Sequence, residues 1–118
     1  MDPDPIDQVA FERLLEITGG DLAFVDELVD TYLSDAVVQL DGMRRAAANA
    51  DAAAMVRPAH SLKSSSENVG ALALADRCRS LEAEAKAGAV PDAIARVAAC
   101  DDAFTAVSAA LLAQRIGR

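Results

Sequence analysis

Asp21-Leu22-Ala23-Phe24-Val25-Asp26-Glu27-Leu28-Val29-Asp30-Thr31-Tyr32-Leu33-Ser34-Asp35-Ala36-Val37-Val38-Gln39-Leu40-Asp41-Gly42-Met43-Arg44-Arg45-Ala46-Ala47-Ala48 is one unbroken segment of helical periodicity. Leu22, Val25, Val29, Leu33, Ala36, Leu40, Met43 and Ala47 recur at spacings of three and four, so a single apolar stripe follows one side of a helix. Asp21 caps its start, and the helix ends near Ala48 after roughly 40 Å at 1.5 Å per residue. A stripe this long needs several other helices to cover it.

Those helices stand on either side of it. Upstream, Asp7 to Ile17 forms a short helix whose apolar residues are Val9, Phe11, Leu14, Leu15 and Ile17, stopped by Thr18-Gly19-Gly20. Downstream, Asp51 caps a third helix that runs to Asn68 and contains Pro58, which predicts a bend or a late regular start near Arg57. Gly70 separates it from a fourth helix over residues 71–87, with Leu74, Cys78, Leu81 and Ala85 as the inward seam. After Gly88, Pro91 suits the first turn of a last helix ending near Ile116, with Ile94, Val97, Phe104, Val107, Leu111 and Leu112 as its apolar residues. Strand patterns, repeats and low-complexity linkers are absent from the sequence. The expected architecture is all-α: one domain over residues 1–118, an antiparallel four-helix bundle with a short extra N-terminal helix.

Composition supports the same architecture and narrows the function. The 118 residues are 53% hydrophobic, much of it alanine, and only 3% aromatic with no tryptophan, which favours helices over sheets. A net charge of −8 argues against nucleic acid or an anionic membrane as partner, since both bind clustered Lys and Arg. No apolar run approaches the roughly 20 residues of a membrane span. The opening Met1-Asp2-Pro3-Asp4-Pro5 is acidic and proline-broken, unlike a signal peptide, so a cytoplasmic location is expected. Cys78 and Cys100 are too few for a metal site and read as small buried hydrophobes. One histidine and no Glu-x-x-His pair leave no ligand set for zinc or di-iron, and no glycine-rich nucleotide loop or P-loop supports kinase activity.

His60 is the single histidine. With the third helix drawn at about 100° per residue, Met55, Ala59, Leu62, Ser65, Ser66 and Val69 gather opposite it, while Arg57, Lys63, Ser64 and Glu67 share its side. The imidazole therefore faces water. Many such histidines are ordinary surface residues, but three neighbours suit this one to chemistry. A neutral ring nitrogen is a nucleophile near pH 7. Lys63, one turn onward, can set its ammonium beside an incoming phosphoryl oxygen, and Arg57, one turn back, adds a second positive charge. Ser64 is small and leaves room for a partner backbone.

Ala59-His60-Ser61-Leu62-Lys63-Ser64-Ser65-Ser66-Glu67-Asn68-Val69-Gly70-Ala71 resembles the signature of histidine-containing phosphotransfer (HPt) domains of two-component phosphorelays. The resemblance extends over nearly the whole chain, including Gly19-Gly20-Asp21, Asp51 and Leu81-Glu82. It implies that His60 is the phosphoacceptor and Lys63 the residue that stabilises phosphoryl charge. Serine at position 64 departs from the family's common glycine. Glu82 stands where some members carry a glutamine that hydrogen-bonds the histidine. A carboxylate there either fixes the ring tautomer or is a solvated surface glutamate.

The same resemblance implies a phosphorelay carrier without autonomous kinase activity, taking a phosphoryl group from one receiver aspartyl phosphate and giving it to another receiver aspartate. Its partners are receiver domains of response regulators and a hybrid sensor kinase, docking around Val56, Arg57, Ser64 and Glu67. The chain binds no cofactor of its own, the receiver brings Mg²⁺, and a monomer is expected. Two other readings stay open: a helical adaptor in which His60 is incidental, and the dimerising phosphoacceptor domain of a sensor kinase.

Overall fold

A computed structural model describes residues 4–116; the first three residues of the acidic N-terminal stretch lie outside the described range. Five helices follow in order: α1 (Gln8–Ile17), α2 (Leu22–Ala48), α3 (Ala52–Asn68), α4 (Leu72–Lys86) and α5 (Ala93–Ile116). α2 to α5 run alternately up and down, α3 packing most extensively on α4 and then on α2, while α5 closes the ring against α2 and α4. Aspartates open three of the helices: Asp7, Asp21 and Asp51 accept hydrogen bonds from the backbone N–H of Ala10, Phe24 and Ala54 at 2.9, 3.1 and 3.0 Å.

The core is aliphatic. Leu40 and Met43 of α2, Met55 and Leu62 of α3, Leu74 and Leu81 of α4, and Val97 and Leu111 of α5 are all at most 2% exposed. One aromatic contact, Tyr32 edge-on to Phe104 at 6.0 Å, joins α2 to α5. The Tyr32 hydroxyl also shares a 2.9 Å hydrogen bond with the buried Ser66 hydroxyl, stitching α2 to α3. Leu62 is fully buried on the face of α3 opposite His60, as the periodicity predicts.

The structure corrects three expectations. The late start at Pro58 does not occur: α3 is regular from Ala52. Pro58 deprives only the Ala54 carbonyl of its helical partner, and Ala54 is an exposed residue, so water can take the place of the lost bond. The proline ring instead lies on Gly42 of α2, where an added Cβ would sit 3.4 Å from it. Pro91 is not in the first turn of α5, because Asp92 takes a left-handed φ of 54° and helix begins only at Ala93. And α5 over Ala93–Arg115 holds an 18-residue window of mean hydropathy 1.2, so by length and composition alone it does reach a membrane span. Alanine supplies much of that hydropathy; Val97, Cys100, Phe104, Val107 and Leu111 of this helix are buried in the bundle core. Some stripe-edge residues also face outward, Val9, Ile17, Leu22, Ile94 and Leu112 among them.

Gly70 fixes how α1 joins the bundle. Its φ is +84°, a region costly for any residue with a Cβ, and its carbonyl accepts the Asp7 N–H at 2.8 Å. A Cβ there would stand 3.0 Å from the Asp7 carbonyl oxygen and 3.3 Å from Phe11 N. Ile6 and Phe11 are thereby seated in the core at the end where α3 stops and α4 starts.

Candidate functional site

The α3–α4 pair builds the site. The His60 side chain is 57% exposed near the middle of α3, held by the buried Ala59 and Leu62 on the helix's inner face. Its Nδ1 lies 2.8 Å from Glu82 Oε2 of α4. Glu82 is only 4% exposed, so of the two open readings of this residue the structure selects the anchored carboxylate over the solvated one. An ionised carboxylate can only accept, so the hydrogen in this bond belongs to Nδ1 and the neutral ring keeps the lone pair of Nε2 free.

Glu82 has two further partners. Lys63 Nζ donates to Oε1 at 2.7 Å, and Lys86 Nζ, one turn along α4, approaches Oε2 at 3.0 Å. The hydrogen bond from Lys63 foremost, then those from Lys86 and His60, outweigh burial and hold the Glu82 carboxyl down at about 2. The carboxylate is thus charged at every pH at which the bundle is expected to work. Lys63 is 20% exposed and Lys86 62%, so both ammonium groups lie near the rim of the site.

His60, Lys63 and Glu82 are therefore gathered in one hydrogen-bonded group, and Lys86 is a member that sequence reasoning missed. Two signals were present. Glu82 falls on the buried stripe with Cys78, Leu81 and Ala85, and Glu82–Lys86 is an i,i+4 pair in the favourable order. Arg57 and Ser64 are exposed on the α2 side of the histidine. Arg57 shares a groove with Val38, Gln39 and Gly42 of α2 and with Pro58. Val56 is not an exposed apolar neighbour: it is half-buried and packs on the core. The large apolar residue exposed in that groove is Val38, 62% exposed. Glu67 is exposed but engaged by Arg79 of α4 at 2.7 Å. Among the described residues no group of three or more His, Cys, Asp or Glu is placed to hold a metal ion.

Comparison with known proteins identifies the fold and the family. No curated protein matches the sequence. The crystal structure of histidine-containing phosphotransfer protein B (HptB) from Pseudomonas aeruginosa PAO1 superposes with a TM-score of 0.87 at 27% identity, covering 99% of each chain. The Hpt domain family matches residues 27–110, which include all of α3 and α4 and hence each of the four side chains of the Glu82 cluster. With most of its length matched, an exposed histidine at the centre of the match and the fold of a solved phosphotransfer protein, this chain belongs to the Hpt domain family.

Proposed function

We propose that His60 is the phosphoryl-carrying residue of this phosphorelay carrier. The observation that carries the assignment is the Nδ1–Glu82 hydrogen bond on a ring that is otherwise open to solvent. That bond orients the imidazole and leaves Nε2 outward with its lone pair. Nε2 attacks the phosphorus of a receiver aspartyl phosphate; the N–P bond forms as the P–O bond to the aspartate breaks, and the freed carboxylate takes the electron pair. A second receiver aspartate then reverses the step. The chain supplies position and charge rather than a nucleotide site.

Hpt domains in two-component relays work with receiver domains. The receiver is assigned the Mg²⁺, and a hybrid sensor kinase the role of upstream source. The groove of Val38, Arg57 and Pro58, with Ser64 one turn from His60 on α3, is the docking surface this reading favours; Arg57 stands one turn before the histidine, and the groove offers an apolar contact at Val38 and cationic ones at Arg45 and Arg57. A transient relay contact of this kind is small in area. The carrier is assigned to the cytoplasm as a monomer, for which sedimentation at micromolar concentration should give a single species of one chain.

Incubation with a phosphorylated receiver tests the assignment. Native protein should gain an acid-labile, base-stable label and His60→Gln none. Equal labelling of the two would remove His60 from the reaction.

A further inference from the structure

Glu82 is more heavily engaged than the orientation of a ring requires. Its Oε2 accepts from His60 Nδ1 and Lys86, its Oε1 from Lys63. The ammonium best placed to meet a phosphoryl group is therefore bonded elsewhere in the resting protein. α3 and α4 are antiparallel, Lys63 follows His60 on α3 and Lys86 follows Glu82 on α4, so the two ammonium groups reach the carboxylate from opposite ends.

The charges of the loaded site follow from the transfer step. With a neutral ring, the two lysines and Glu82 sum to +1. Nε2 gives its lone pair to phosphorus and the receiver's carboxylate leaves; no proton need move. Nδ1–H stays on Glu82, so the loaded ring carries a formal positive charge beside a dianionic phosphoryl group. Glu82 has thus acquired a new cation in direct contact, and Lys63 a new dianion within the reach of its flexible stem one turn from His60.

We infer that loading exchanges the partners of Glu82: the phosphorylated ring replaces Lys63 as its counter-ion, Lys63 swings to the phosphoryl oxygens, and Lys86 remains as the fixed cation that keeps the carboxylate charged. This rests on His60 being the phosphoacceptor, and makes Glu82 and Lys86 positioning residues for the transfer. The exchange also governs lability. A ring that keeps Nδ1–H departs from phosphorus as neutral imidazole rather than as imidazolate, so a carboxylate at position 82 shortens the life of the N–P bond and speeds onward transfer, where an amide would lengthen it.

The test loads full-length native protein and the Glu82→Gln, Lys86→Met and Lys86→Arg variants with phosphoramidate, which needs no receiver. Glu82→Gln should lengthen the phosphohistidine half-life at neutral pH, and slow onward transfer to a receiver, by about three- to tenfold, the scale of one charge-assisted hydrogen bond. Lys86→Met, exposed and foldable, should slow loading about threefold while Lys86→Arg restores it. In native protein the Lys63 side-chain ¹⁵Nζ resonance should move on loading and that of Lys86 should stay. Equal half-lives with an unmoved Lys63 signal would overturn the exchange while leaving His60 as carrier. Absence of acid-labile label on native protein from either donor would overturn the phosphoacceptor assignment, and the exchange with it.

Discussion

Glu82 connects the acid stability of this bundle to its chemistry. Its carboxyl titrates at about 2 in the folded protein against an ordinary 4.5. Because the folded value is the lower, the stabilisation is complete above pH 4.5 and is lost as pH falls toward 2; the difference corresponds to about 3 kcal/mol. Acid titration followed by circular dichroism should show native protein losing stability across that window and Glu82→Gln lacking that part of the slope. Tyr32 works from the other side. Burial chiefly, against the hydrogen bond shared with Ser66, pushes its hydroxyl up to about 12 from 10. Here the folded value is the higher, so the stabilisation is intact below pH 10 and declines as pH rises toward 12. Replacing Ser66 by alanine leaves the tyrosine hydroxyl without its partner and should cost about 1–3 kcal/mol in chemical denaturation. At this scale the sequence was half legible. His60 and Lys63 stood out by type and spacing, but whether Glu82 was solvated or anchored depended on a contact across 22 residues of sequence, which no local pattern encodes.

Two glycines show how differently the helices respond to one methyl group. Gly42 lies inside α2 with Pro58 at ordinary van der Waals distance from an added methyl, so Gly42→Ala should stabilise by about 0.5–1 kcal/mol through helix propensity alone. Gly70→Ala faces both a left-handed φ and a backbone oxygen at 3.0 Å, and should destabilise by about 1–3 kcal/mol while freeing α1. Thermal melts of the two variants should move in opposite directions. The helices themselves were readable because their aspartate caps and three-four spacing are local signals. What misled lay in tertiary context: Pro58 is tolerated because the Ala54 carbonyl it leaves unpaired is open to water, and Pro91 is displaced from α5 by the left-handed Asp92 beside it.

For the molecule as a whole, the α3–α4 pair is the unit that matters, with α2 as the proposed docking flank and α5 as its backing. Cys78 of α4 and Cys100 of α5 lie where the pair meets that backing, both fully buried. Contact with Cys100, and then burial, pushes the Cys78 thiol far above its ordinary range. Because neither side chain is reachable by solvent, native-state alkylation of either thiol should require opening of the bundle, and its rate should rise in step with destabilisation by Gly70→Ala.

Tyr32 has one more consequence. It is the chain's lone tyrosine, and no tryptophan outshines it. Its emission is thus a private optical window on the seam between α2 and α3, because its hydroxyl rests on the very helix that bears the imidazole. A carrier that stays rigid as it takes on cargo will keep that glow constant, whereas dimming or brightening on loading would reveal a scaffold that breathes with every turnover.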